Sequence, residues 1–88
     1  MAWLIRIDEE AENNISRLDR QMQKHIYTFL NKRLATRENP RSIGKALMGK
    51  HTGLWRYRVG DYRILCKIDD AIVTVVVITV GHRREVYH

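Results

Sequence analysis

The residues best placed to do chemistry are four cations gathered around one turn. In Leu54-Trp55-Arg56-Tyr57-Arg58-Val59-Gly60-Asp61-Tyr62-Arg63-Ile64-Leu65-Cys66-Lys67, apolar and polar residues alternate on either side of Gly60-Asp61. That is the pattern of two strands joined by a two-residue turn with Gly first. Such a turn pairs Val59 with Tyr62, and therefore Arg58 with Arg63 and Arg56 with Leu65. Alternation puts Trp55, Tyr57, Val59, Tyr62, Ile64 and Cys66 on one face, and Leu54, Arg56, Arg58, Arg63, Leu65 and Lys67 on the other. The first face is a core. The second concentrates four cations with no acid between them. Like charges opposed across a ladder destabilise it, so folding alone gives no reason for this choice. An anionic partner does.

The elements that must position these side chains follow from the rest of the chain. Trp3 to Ile7 reads as a first strand. Asp8 has the character of an N-cap, with Glu9, Glu10 and Glu12 in the first turn where the helix dipole favours anions, and Ala11, Ile15 and Leu18 at helical spacing. The spacing predicts a helix from about Glu9 to Leu18, and its acids serve the helix start rather than a catalytic carboxylate cluster. A second helix begins near Asp19 or Arg20, carries the stripe Met22, Ile26, Phe29, Leu30 and Leu34, and stops before Asn39-Pro40.

Arg41 to Gly53 reads as a loop holding the cations Arg41, Lys45 and Lys50. Its Gly44-Lys45-Ala46-Leu47-Met48-Gly49-Lys50 has the glycine spacing of a phosphate-cradling loop. Position 51 is His rather than Ser or Thr, and no strand precedes it, so that reading is rejected. Asp69-Asp70 then turns the chain into Ile72–Val80, a β-branched run of the kind found in central strands covered on both faces. Gly81 is expected to end that strand, and a short polar tail carries His82, Arg83, Arg84 and Tyr87. The order is β-α-α-β-β-β. It predicts one α+β domain over residues 1–88, a small antiparallel sheet with an N-terminal helical hairpin packed on one face.

Composition bounds the function. The 88 residues carry a net charge of +6, with a sequence pI near 9.9. The charge is uneven: residues 1–38 have seven Lys/Arg against six Asp/Glu, and residues 39–88 have nine against four. A basic half on a small domain points to nucleic acid, with a merely solubilising charge as the alternative. The single cysteine, Cys66, rules out an internal disulfide framework and agrees with a reducing compartment. It falls on the core face, where an inert thiol is expected. No signal-peptide pattern is visible, and the longest apolar run is too short and too β-branched for a membrane helix. A soluble cytoplasmic protein that engages no membrane is expected. His25, His51, His82 and His88 lack ligand spacing with carboxylates or Cys66, so no metal and no cofactor are expected.

At Leu54-Trp55-Arg56-Tyr57-Arg58-Val59-Gly60-Asp61-Tyr62-Arg63-Ile64 and Val80-Gly81-His82-Arg83-Arg84-Glu85-Val86-Tyr87, the sequence resembles the RelE/ParE toxin superfamily, on its RelE branch. The order of elements agrees over essentially the whole chain. The resemblance implies the toxin of a bacterial type II toxin–antitoxin pair. Its implied activity is that of a metal-independent endoribonuclease, which enters the ribosomal A site and cleaves mRNA by 2′-hydroxyl attack on the adjacent phosphate. It places the family's cationic strand positions on Arg56 and Arg58, the arginine after the turn on Arg63, the arginine after the last strand's glycine on Arg83, and the terminal tyrosine on Tyr87. Relatives often carry lysines at the first two positions. Arginine keeps the charge but does not release its proton.

On this reading Tyr87 is the base for the 2′-hydroxyl, its phenolate favoured by neighbouring guanidinium groups. Arg56, Arg58 and Arg63 hold the phosphate. Arg83 stabilises the leaving group, and His82 is a candidate proton carrier. Lys45, Lys50, Lys67, His82 and Arg84 complete the expected RNA contacts. Trp55 and Tyr57 are weighed as base-stacking residues, but their place on the core face favours packing. Structural alternatives stand beside each role: Tyr87 packed on the sheet edge, Arg83-Arg84 as a solvated tail, Arg63 paired with Asp61 or Asp70. The implied partners are a cognate antitoxin, the ribosome and its mRNA, with operator DNA reached only through the antitoxin. A non-catalytic ParE-like inhibitor of DNA gyrase on the same fold is the main alternative. A general RNA-binding domain is the third.

Overall fold

A computed structural model describes residues 2–83, so Arg84 and Tyr87 lie outside the described residues. Strand β1 (Leu4–Ile7) leads into helices α1 (Glu9–Ser16) and α2 (Arg20–Thr28). Asp19 caps α2, its carboxylate accepting from the Met22 amide at 2.8 Å. Asp8 occupies the cap position of α1 with extended backbone but no side-chain cap bond, and the three acids of the first turn answer the dipole instead. Beyond Thr28 the helix widens into a π-helical segment, Phe29–Leu34. The Ala35 amide there donates to the Leu30 carbonyl, five residues back, at 3.0 Å.

The segment expected to be a loop is more structured than its sequence indicates. It folds as a 3-10 turn (Pro40–Ser42), a two-residue strand β2 (Lys45–Ala46) and a second 3-10 turn (Gly49–His51). Strands β3 (Trp55–Val59), β4 (Tyr62–Asp69) and β5 (Thr74–His82) follow, and the five strands lie in the order β1-β5-β4-β3-β2. The hairpin register is the one the turn dictates: Val59 opposes Tyr62, Arg58 opposes Arg63, and Arg56 opposes Leu65.

Three differences from the sequence reading have identifiable causes. The sheet is mixed, because β1 pairs in parallel with β5 (Leu4 with Thr74 to Ile7 with Val77) after the helical hairpin has carried the chain across. Gly81 does not end β5; it stays in the ladder opposite Arg63, and the strand runs on to His82 opposite Tyr62. Finally, β5 is well covered on one face only. Val75, Val77 and Val80 are buried, while Val76 and Ile78 are half-buried. A bulge shifts the register so that Leu65 pairs with Thr79 but Cys66 with Val77, which inserts Ile78 as an extra residue.

The core lies between the helices and one sheet face. Ala11, Ile15, Ile26, Phe29, Leu30 and Leu34 meet Tyr57, Ile64, Cys66, Val75, Val77 and Val80 there. Trp55 packs against this cluster, and its indole N–H donates to the Ile43 carbonyl at 2.7 Å. The buried Tyr57 hydroxyl donates to the Pro40 carbonyl, also at 2.7 Å.

The β4–β5 turn carries a strained residue. Val73 has φ +49°, a left-handed conformation that a β-branched side chain tolerates poorly. It is held there because its carbonyl accepts from Leu4 at the start of β1, at 2.9 Å. Left-handed backbone costs about 1–2 kcal/mol for an ordinary residue, and glycine's added chain entropy takes back about 0.5–1 kcal/mol. Val73→Gly should therefore raise stability by a few tenths of a kcal/mol to about 1 kcal/mol. A thermal melt would show it as a midpoint several degrees higher.

Candidate functional site

The arginine row is built by register. Val59 and Tyr62 close the turn as a hydrogen-bonded pair, so Arg58 and Arg63 form the next, non-hydrogen-bonded pair, with Cα atoms about 4.5 Å apart. Arg63 in turn opposes Gly81 of β5. Gly81 itself adds no side chain beside Arg63. Arg83 follows two residues later, and its amide donates to the Asp61 carbonyl at 2.9 Å, tying the end of β5 to the hairpin turn. Arg58, Arg63 and Arg83 are thus brought to one end of the sheet. Arg56 stands two residues from Arg58, directly opposite Lys45 of β2.

Three further expectations fare differently. Lys67 shares a face with Arg63 but lies four residues further along β4, roughly 13 Å away, and Lys50 lies on the second 3-10 turn, outside the ladder. His82 is on the opposite face from Arg63, its ring meeting Tyr62 edge-on with centroids 5.6 Å apart. The cationic face also has an apolar centre: Leu65, between Arg56 and Thr79 in register, is buried to 2% exposure. Arg84 and Tyr87 lie outside the described residues.

Asp70, once a possible partner for Arg63, is taken by Arg41. The two make a bidentate pair at 3.0 Å on both arms, and Arg41 holds the Asp70 carboxyl below the usual carboxylate range. The pair is exposed and stabilises little.

The outer edge of β3 adds cations that the sequence pattern did not single out. β2 pairs only with Trp55 and Arg56, so among the described residues the edge has no strand partner from Tyr57 onward. Two adjoining clefts run along it, of about 350 and 470 Å³. The first holds Arg33, Lys45, Arg56 and Arg58 over a floor of Phe29, Ile43 and Tyr57. The second continues past Arg58 to Lys24 and His25. Among the described residues, no carboxylate lines either cleft. Arg33 sits 5.7 Å above the Phe29 ring, and the four-residue spacing between them was the available signal.

The buried nucleophile candidates are inert. Burial pushes the Tyr57 phenol and the Cys66 thiol well above their ordinary values. Cys66 is free and fully buried. In the folded protein it should react with an aromatic disulfide reagent orders of magnitude more slowly than in denaturant; equal rates would contradict its burial.

With this geometry in place, comparison with known proteins is decisive. Residues 5–87 match the family of ParE toxins of type II toxin–antitoxin systems, parDE. The chain belongs to the RelE/ParE toxin superfamily. It is 30% identical to Toxin RelG of Mycobacterium tuberculosis over 87 residues, 99% of this chain and 98% of that one. The toxin–antitoxin complex RelBE2 of the same organism contains a chain that superposes with a TM-score of 0.86 at 29% identity, over 94% of this chain and 100% of that one. An E. coli RelE mutant bound to a peptide of the antitoxin RelBc superposes with a TM-score of 0.73 at 26% identity, over 93% of this chain and 84% of that one. This RelE-like toxin therefore carries its arginine row on the fold of a toxin–antitoxin system. Among its described residues, no helix is long and apolar enough to cross a membrane.

Proposed function

We propose that this toxin is a ribosome-dependent mRNA endonuclease acting in the cytoplasm. The observation that supports it best is the pairing of Arg58 with Arg63 beside Gly81, with Arg83 tied to the same turn. Two cations opposed across a ladder work against folding and in favour of a phosphate. Arg56, Arg58 and Arg63 bind the scissile phosphate and stabilise the charge of the pentacoordinate transition state. Tyr87 takes the proton of the 2′-hydroxyl, whose oxygen attacks phosphorus. The P–O5′ bond breaks, leaving a 2′,3′-cyclic phosphate on one fragment and a 5′-hydroxyl on the other. Arg83 stabilises the departing 5′-oxygen, which takes a proton from water to become the hydroxyl. Lys45 extends the cationic surface along β2, while Lys50, Lys67 and Arg84 make outlying contacts with the RNA backbone. The ribosome aligns the 2′-hydroxyl with the phosphate, so free RNA should be cut poorly.

The toxin's partner is an antitoxin with an acidic, extended segment. The open edge of β3 offers main-chain pairing at Arg58, and the cations of the two clefts flank it. Binding there withdraws Arg56 and Arg58 from RNA. Operator DNA is reached through the antitoxin.

The match to the ParE family by name supports a second reading, a non-catalytic inhibitor of DNA gyrase on the same fold. Primer-extension mapping of cellular mRNA after brief induction separates the two. Codon-phased cuts within translated regions, absent with Tyr87→Phe, are expected. A DNA-damage response with translation intact would favour gyrase inhibition.

A further inference from the structure

The last strand outruns the strand beside it. β1 pairs with β5 only from Thr74 to Val77, and the next residue, Asp8, donates its amide to the Val77 carbonyl at 2.9 Å. β5 continues to His82. On its β4 side it stays paired, Val80 with Ile64, Gly81 with Arg63 and His82 with Tyr62. On its β1 side the role of the missing strand passes to one side chain. The Asn14 side-chain oxygen accepts from the Val80 amide and from the Thr79 hydroxyl, each at 3.0 Å. A backbone amide can only donate, so the contact fixes which end of the Asn14 amide faces β5.

Nothing in α1 itself asks for asparagine here. Asn is a weaker helix former than Ala, because its side chain competes for backbone partners, and position 14 lies inside the helix rather than at a cap. The helix is a firm mount, since Ala11 and Ile15 on either side are fully buried in the core. The stretch of strand that Asn14 grips is, by contrast, locally weak. The bulge at Ile78 breaks the regular register before it, and Gly81 after it has no side chain to pack. Val80 is 4% exposed, so its amide depends on the Asn14 acceptor rather than on bulk water.

The consequence lies three residues further on. Arg83 leaves the ladder with its amide on the Asp61 carbonyl at 2.9 Å. Its place is therefore set by the hairpin turn on one side and by the course of β5 on the other. At about 3.3 Å per residue, Val80 stands roughly 10 Å from Arg83 along the chain, so a shift at the first is carried to the second. We propose that Asn14 is a positioning residue for Arg83. Standing in for β1 at Val80, it holds residues 81–83 against the hairpin turn and keeps Arg83 where the departing oxygen needs it. The hold itself concerns the fold; its effect on cleavage rests on the endonuclease reading.

Asn14→Leu keeps the side chain's bulk and removes the acceptor, while Asn14→Asp retains an acceptor oxygen. Amide hydrogen exchange on the purified toxin reads the hold directly. In Asn14→Leu the Val80 and Arg83 amides should exchange about tenfold faster, with the β3–β4 ladder amides changing less because the opening is local. Asn14→Asp should keep both near the parent's rates. On programmed ribosomes Asn14→Leu should lower kcat about 5- to 20-fold, within the range for a modestly misplaced catalytic group, and leave KM within about twofold. In an Arg83→Ala background the same change should cost nothing further, since no guanidinium is left to misplace. An Arg83 amide indifferent to Asn14→Leu, exchange that rises equally in every strand, or a full effect on kcat in the Arg83→Ala background would overturn the proposal. If exchange responds as expected but wild-type toxin never cuts mRNA, the hold stands and the endonuclease reading falls.

Discussion

Replacing Arg58 with threonine should cut mRNA cleavage on ribosomes by about 10- to 100-fold and leave the protein more stable than before. The loss follows from removing one charge-assisted contact to phosphate, worth about 1.5–3 kcal/mol. The gain follows from the ladder. Arg58 stands directly opposite Arg63, and relieving a like-charge pair while adding a β-branched residue contributes about 0.2–1 kcal/mol. Arg58 is exposed, so its removal opens no cavity. A cleavage assay and a thermal melt on the same preparation should therefore move in opposite directions. A melting midpoint that fell by several degrees would mean that Arg58 is a structural residue, and the phosphate argument would lose its footing.

The largest effect on folding should come from Gly44→Ala. Gly44 has φ +79°, and an added Cβ would lie 2.5 Å from the Arg56 carbonyl oxygen, 2.7 Å from the Trp55 indole nitrogen and 2.9 Å from the Tyr57 ring. Two of these obstacles cannot swing away: one is backbone, and the other donates to Ile43. Left-handed strain and overpacking together should cost about 2–4 kcal/mol, a drop of 10 °C or more in a domain this size. Gly49→Ala is the control. It has φ +68° but nothing within 4 Å, so it should suffer the strain alone, about 1–2 kcal/mol. If the two variants melt together, the close approach of Gly44 to β3 does not stabilise the fold. Because Lys45 follows Gly44 and pairs with Arg56, the damage should extend to RNA binding.

The hairpin was legible from residue types alone. A two-residue turn leaves no freedom in register, so Arg58 had to meet Arg63, and alternation had to send Tyr57 and Cys66 inward. The helix stripes were equally plain, from Ile15 to Leu34. What the sequence concealed depends on contacts far apart in the chain. Nothing in Leu4–Ile7 states that it will pair in parallel with β5, and nothing in a β-branched run marks Ile78 as the extra residue of a bulge. Gly81 looked like a stop because glycine is poor in strands. It is kept in the ladder because Arg63 opposes it.

The same division holds for the candidate site. Its β3–β4 cations follow from local alternation. Arg33 is added by helix packing against the sheet edge, and Lys67 is set apart by simple distance along β4. His82 follows a glycine and so reads as tail, yet the extension of β5 sets it against Tyr62, on the face away from Arg63.

The most direct measurement joins purified toxin to ribosomes carrying a defined mRNA and asks where the strand breaks and what ends result. The arginine row predicts a single cut within the codon in the A site, leaving a 2′,3′-cyclic phosphate and a 5′-hydroxyl. Intact mRNA under those conditions, with wild-type protein that still arrests growth, would contradict it.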